Sequence, residues 1–304
     1  MKFGAHLPQI DFDRAGWTLG RLQEYADAAR ELGFDTLCIN DHIAFPRPWL
    51  DGPTGLASVI ERTGEMTLAT TVAIPVVRGP AATAKTLAMI DVLSGGRLLV
   101  GVGPGSSALD YALVGIPFEE RWKRLDESVH MMRALWRGET YKGRFYSNEG
   151  VSIEPRPEET PPIWIGSWGS EAGLRRTARL ADGWLASGYN TTPEAFAEAR
   201  GRLAGHLREH GKDPARFPNA IATVWMYITE DSAEARRVYR DVLAPMTGRA
   251  EQELRDRLLV GRAEECAWRL SAYQAAGAQA VFVWPVGDDV RQLELFMTEV
   301  VPRV

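Results

Sequence analysis

Apolar and polar positions along this chain repeat with two different periods. Short apolar runs rich in β-branched residues recur near 3–7, 36–39, 67–74, 98–102, 162–166, 183–186, 220–228 and 279–284. Each is short enough for a strand, and its continuous apolar character suits a strand buried on both faces. Between these runs the period changes to three and four. Leu22, Tyr25, Ala29 and Leu32 share one face of a helix over 17–32, and Trp122, Leu125, Val129, Met132 and Trp136 share one over 118–136. Further helices are predicted over 80–93, with Pro80 at the first position, and over 171–181, 193–210, 232–244, 263–276 and 290–300. Eight strands alternating with helices, and few hairpin signals, predict an α/β protein with a closed parallel (β/α)8 TIM barrel; an open doubly wound sheet is the alternative. The 304 residues suffice for one such barrel domain with insertions, expected near 104–118, 138–162 and 246–262.

Charge and cysteine usage narrow the class of partner. A net charge of -5 argues against nucleic acid or an anionic membrane surface. The longest apolar stretches, such as 68–77, are too short to cross a bilayer. Met1-Lys2-Phe3-Gly4 leads directly into a strand-like run with no signal-like segment, so a cytoplasmic location is expected. Cys38 and Cys266 form no CxxC pair, and Cys38 lies within an apolar run as a core thiol would.

In a barrel, chemistry belongs at the carboxyl ends of the strands. The second strand ends in Asn40-Asp41-His42, an acid and an imidazole suited to proton transfer near neutral pH, or else to bracing the loop. The fourth ends in Gly101-Val102-Gly103-Pro104-Gly105, where small residues let the backbone approach a flat or anionic ligand. The run Gly166-Ser167-Trp168-Gly169-Ser170 leads from strand to helix; Ser170 suits an N-cap, and the free amides behind it attract a phosphate or carboxylate. Phe45, Trp49, Tyr111, Trp168, Tyr189 and Trp284 fall at strand ends and top loops, which suits an apolar or aromatic ligand.

Other chemistries lack their residues. The glycines do not have GxGxxG spacing, and there is no GxSxG elbow. His206 and His210 have Leu207 where a zinc protease needs glutamate, and no strand carries paired histidines, so no metal is expected. The five lysines all lie away from the predicted strand ends, which disfavours Schiff-base chemistry.

In order along nearly the whole chain, Phe3-Gly4, Leu7-Pro8-Gln9, Glu31-Leu32-Gly33-Phe34-Asp35, Asp41-His42, Leu93-Ser94-Gly95-Gly96-Arg97, Gly101-Val102-Gly103, Pro161-Pro162-Ile163-Trp164-Ile165-Gly166 and Ala181-Asp182-Gly183-Trp184 resemble the bacterial luciferase-like flavin-dependent family. They are most similar to its branch that uses the deazaflavin F420. The resemblance implies a barrel with the cofactor ring at the carboxyl face. It implies that His42, with Asp41 orienting the site, exchanges a proton or polarises substrate. Thr71-Val72 matches a bulged non-proline cis peptide against the ring. Gly103 and Pro104 match the loop along the cofactor's side chain, and Gly166, Ser167, Trp168 and Gly169 match its phosphate turn. Phe45, Trp49 and Trp284 are the expected substrate residues. The implied activity is hydride transfer between F420 and an apolar organic molecule. The alternatives are an FMN-dependent two-component monooxygenase using oxygen and a non-catalytic cofactor-binding barrel. A homodimer is expected, and a cofactor-reducing partner enzyme is possible. One departure stands out: sugar-phosphate dehydrogenases of this family carry a glutamate after the GxG loop, where this chain has Ser106.

Overall fold

The computed structural model describes residues 1–304. Its strands are β1 (Lys2–His6), β2 (Thr36–Ile39), β3 (Thr67–Ala73), β4 (Leu98–Val102), β5 (Ile163–Gly166), β6 (Gly183–Ser187), β7 (Asn219–Ile228), β8 (Leu259–Gly261) and β9 (Ala280–Pro285). All except β8 form a closed parallel ring, in which β1 pairs with β9, β9 with β7 and β7 with β6. This is the expected (β/α)8 barrel. The departure is β8, three residues inside the insertion near 246–262, which pairs only with β7 outside the ring.

Burial explains the continuous apolar runs. All four residues of β2 are buried, because helices cover the outside and neighbouring strands fill the inside. Outward residues such as Leu37, Leu68 and Val100 pack under the helices, while Cys38, Ala69, Leu185, Ala220 and Phe282 fill the interior. Cys38 is the core thiol its sequence context suggested; burial pushes it well above the usual thiol range, so it stays neutral. The helix Pro80–Ser94 stops at Gly95, whose φ of 70° is left-handed, and Gly96 N–H closes back on the Asp91 carbonyl at 2.9 Å. That turn aims the chain into β4.

Two register breaks shape the barrel mouth. One lies in β3 between Thr70 and Ala73, the other in β7 between Ile221 and Val224. A bulge re-aims side chains; the first break falls at the carboxyl end of β3, the second midway along β7, level with the end of β6 where Ala222 pairs with Ser187. Thr223, within the second, has φ of 58°, a strained value for a β-branched residue. The long excursions also gather at this end: the loop after β2 with its helix Gly52–Ala57, the helix Ala108–Val114 after β4, and the segment after β7 with helices Ser232–Arg237 and Glu251–Arg255. The stretch 138–162, between the helix Arg121–Arg137 and β5, is irregular apart from a bridge between Lys142 and Ser147. No helix is long and apolar enough to cross a membrane.

Candidate functional site

A cleft of about 290 Å³ opens where β2, β3, β4, β5 and β6 end. Its floor is the β3 bulge. The Thr71–Val72 peptide is cis, as the resemblance implied, and Val72 stands as a ridge into the cleft. Gly103 and Gly166 face that ridge. A methyl group on Gly103 would meet Val72 Cγ2 at 2.8 Å, and one on Gly166 would meet Cγ1 at 3.0 Å. Glycine at both places lets the backbones at the ends of β4 and β5 pack directly against Val72, which fixes the ridge from two sides. Thr71 turns inward, its Oγ1 3.2 Å from His6 Nε2.

His42 lines the cleft and is held from behind. Its Nδ1 lies 2.7 Å from Asp110 Oδ2, while Asp110 Oδ1 accepts from the backbone N–H groups of Ile43 at 2.8 Å and Ala44 at 2.7 Å. Asp110 is fully buried. Burial pushes its carboxyl up, but the hydrogen bonds from His42 and the two amides outweigh this, and its pKa lies below the ordinary value. Asp110 is therefore an ionised acceptor that fixes the ring, with Nδ1 as donor and Nε2 free of protein partners.

Asp41, expected to orient the site, makes its side-chain contacts with Arg78 and not with His42. Adjacent residues leaving a strand point in different directions, and Asp41 turns away to Arg78. Arg78 Nε and Nη2 donate to its two oxygens at 2.7 and 2.6 Å, and Ile74 N–H donates at 3.3 Å. Burial pushes the Asp41 carboxyl up and Arg78 pulls it back. Asp51 also accepts from Arg78, so the three residues tie the β2 loop to the end of β3.

Ser167, Trp168 and Ser170 line the far end of the cleft. Gly169 is in the same turn with φ of 83° but does not face the cleft; its carbonyl accepts from Arg202. Ser170 caps the helix Glu171–Leu180 by accepting from Gly173 N–H at 3.2 Å, and the first amides of that helix have no intrahelical acceptor. Arg175 and Arg176 are committed to Glu171 and Asp126. The cation in the cleft is Arg121, which donates to the Phe118 carbonyl, packs over the Phe118 ring at 4.0 Å and has no carboxylate partner. Helical periodicity marked only the apolar face of its helix, so Arg121 escaped notice. Pro104 lines the cleft, and its carbonyl accepts the Tyr111 hydroxyl.

The three expected substrate aromatics divide. Phe45 and Trp49 touch the His42 ring, with centroids at 4.7 and 4.8 Å. They also line an open apolar groove of about 490 Å³ with Leu109 and Leu113. Trp284 does not line the cleft. It is fully buried because β9 turns it inward, between His6 at 4.4 Å and its register partner Trp225 at 4.2 Å. No group of His, Cys, Asp and Glu side chains is clustered closely enough to hold a metal ion.

Residues 6–258 match the family model described as luciferase-like monooxygenase. An F420-dependent glucose-6-phosphate dehydrogenase of Mycolicibacterium gilvum is 30% identical, over 93% of this chain and 93% of that protein. One of the same name from Microbacterium testaceum is 34% identical over 58% of this chain; that alignment spans 55%, about half, of the relative's length. Among solved structures, an F420-dependent secondary alcohol dehydrogenase in complex with an F420-acetone adduct superposes with a TM-score of 0.87 over 100% of this chain and 98% of that one. At 18% identity that likeness concerns the fold.

Proposed function

We propose, from the premise that this chain belongs to the luciferase-like monooxygenase family, that it is a cytoplasmic F420-dependent oxidoreductase moving hydride between the deazaflavin and an apolar small organic substrate. The observation that carries this is the cleft whose floor is the Val72 ridge, packed against Gly103 and Gly166, with His42 on its wall. When bound, the deazaflavin supplies the hydride chemistry. The chain's own residues supply position and protons. Val72 supports a ring face, and Gly103 with Pro104 makes room for the cofactor's side chain. Ser167, Trp168 and the amides of the helix Glu171–Leu180 meet its phosphate, with Gly169 shaping the turn. Arg121 adds a positive charge beside them. His42 Nε2 gives or takes the proton at the substrate oxygen, because Asp110 already engages Nδ1. Asp41 acts through Arg78, by holding the β2 and β3 loops together. A homodimer and a cofactor-reducing partner enzyme complete the proposal.

The relatives' glucose-6-phosphate activity is not carried over. Ser106 lies in the cleft where the resemblance puts a glutamate, and no lysine lines it. The test is a titration of the purified protein with F420 and separately with FMN, followed by tryptophan fluorescence. Micromolar F420 binding with weak FMN binding supports the proposal. The opposite preference replaces it with the FMN monooxygenase, and no binding of either overturns both.

A further inference from the structure

Four residues other than glycine have a left-handed φ. Arg14, Glu149 and Asp288 lie in bends and turns, where that conformation is easily accommodated. Thr223 lies inside a strand, and it is β-branched, the side-chain type that tolerates this conformation least. The register explains its place. Ile221 pairs with Val281 and Val224 with Val283, so Ala222 and Thr223 together face Phe282 alone, and β7 carries one extra residue. An extra residue with φ of 58° is a position for glycine. Here it is a threonine, held from the other side by the chain after β6: a methyl group on Gly188 would meet the Thr223 carbonyl oxygen at 3.0 Å.

A strained residue persists only where its surroundings impose it, and such residues gather at ligand sites. Three observations tie Thr223 to a ligand. It lines the cleft. It is only 7% exposed. Its hydroxyl makes no hydrogen bond within the chain, yet it is not sealed away from the cleft. Thr70 and Thr71 differ: their hydroxyls meet the Gly101 carbonyl at 2.8 Å and His6 Nε2 at 3.2 Å. The wall around Thr223 is uncharged, formed by Leu185, Ala186, Ser187, Tyr189 and Ala222. Ser187 Oγ accepts from Asn190 Nδ2 at 2.8 Å, which leaves its O–H to donate, and its register partner Ala222 precedes Thr223. Two neutral hydroxyls suit an uncharged edge that carries both carbonyl oxygens and an N–H. A phosphate is better served by Arg121 and the amides behind Ser170.

We propose that Thr223 is a ring-binding residue: the strain in β7 is retained because it presents Oγ1 to the imide edge of a flat heterocycle, where an N–H lies between two carbonyl groups. The inference rests on the function proposed above, which supplies such a ring, since deazaflavins and flavins both carry this edge. His42 faces the cleft from the end of β2 and the phosphate turn follows β5, so the wall of β6 and β7 is what remains for that edge.

The test reads binding and stability on the full chain. F420, and FMN in parallel, are titrated into the wild-type protein, Thr223→Ser, Thr223→Val and Thr223→Gly by tryptophan fluorescence, and each protein is unfolded in urea. Thr223→Val keeps the shape and loses the hydroxyl. It is expected to bind F420 about five- to tenfold more weakly, the value of one hydrogen bond, and Thr223→Gly likewise. Thr223→Ser restores the hydroxyl and is expected within about twofold of the wild type. Thr223→Gly is expected to have a urea midpoint no lower than the wild type, because glycine adopts this backbone freely. F420 methylated at the imide nitrogen is expected to bind the wild-type protein about tenfold more weakly than F420 does, and Thr223→Val about twofold or less. Unchanged F420 affinity in Thr223→Val and Thr223→Gly, or the same methylation penalty with and without the hydroxyl, overturns the inference and leaves the cofactor assignment standing. A lower midpoint in Thr223→Gly with unchanged affinity also overturns it, and makes Thr223 a structural residue. Thr223-dependent binding of FMN but not of F420 upholds the inference and replaces the cofactor. Binding of neither to the wild-type protein overturns both.

Discussion

On the β2–β4 side of the barrel mouth, two buried carboxylates have partners within the chain. Asp41 is held by Arg78 and Ile74 N–H, and Asp110 by His42 and two amides. On the adjoining strands β1, β9 and β7, buried His6, Trp284 and Trp225 carry polar atoms with no partner. A polar group satisfied internally keeps its geometry whether or not a ligand is present. The first side therefore keeps the geometry of the cleft without help from a ligand, whereas the second is held by aromatic packing.

The largest effect that would break this contrast is at His42. His42→Ala is expected to lower kcat for hydride transfer by about a thousandfold while changing F420 affinity little, read from deazaflavin absorbance and fluorescence titration. Arg78→Met leaves Asp41 without its cation and should cost about 3 kcal/mol in urea unfolding. An unchanged midpoint would mean that the cleft side does not depend on internal pairing. Gly103→Val drives a side chain into Val72, displaces the ridge and is expected to weaken F420 binding about a hundredfold. Asp110→Asn keeps the shape but loses the ionised acceptor. A fall in kcat of about tenfold with an altered pH–rate profile is expected; a lower melting temperature with an unchanged profile would reduce Asp110 to a structural brace.

A further effect concerns pH and belongs to the aromatic side. His6 has its imidazole pushed down to about 3 from 6.5 by burial. Between those values the unfolded chain binds a proton that the folded chain does not. Its contribution to stability is complete above about pH 6.5 and declines as pH falls toward 3, by at most about 1.4 kcal/mol per pH unit. His6→Gln should flatten the wild-type decline in urea midpoints between pH 6.5 and 4.5. Parallel curves for the two proteins would show that His6 is not held neutral.

The barrel was legible in the chain because a parallel strand buried on both faces leaves an unbroken apolar run, as β2 and β4 do. β8 was not, since three residues in a charged insertion carry no period. His42 could be flagged from residue type and strand-end position. Its partner could not: Asp110 lies 68 residues away, in a short helix among leucines and alanines. Asp41 looked like part of a catalytic pair because it precedes His42, whereas strand geometry sends the two side chains to different neighbours. Trp284 was flagged as an aromatic at a strand end, but its burial and its stacking on Trp225 arise only when β7 and β9 come together.

The most direct measurement is a titration of F420 into the wild-type protein and into Gly103→Val, followed by tryptophan fluorescence. The predicted result is micromolar binding to the wild-type protein and about hundredfold weaker binding to the variant, whose circular dichroism shows it folded. Equal binding to the two proteins, or none to the wild type, would contradict the assignment of the cleft to the cofactor.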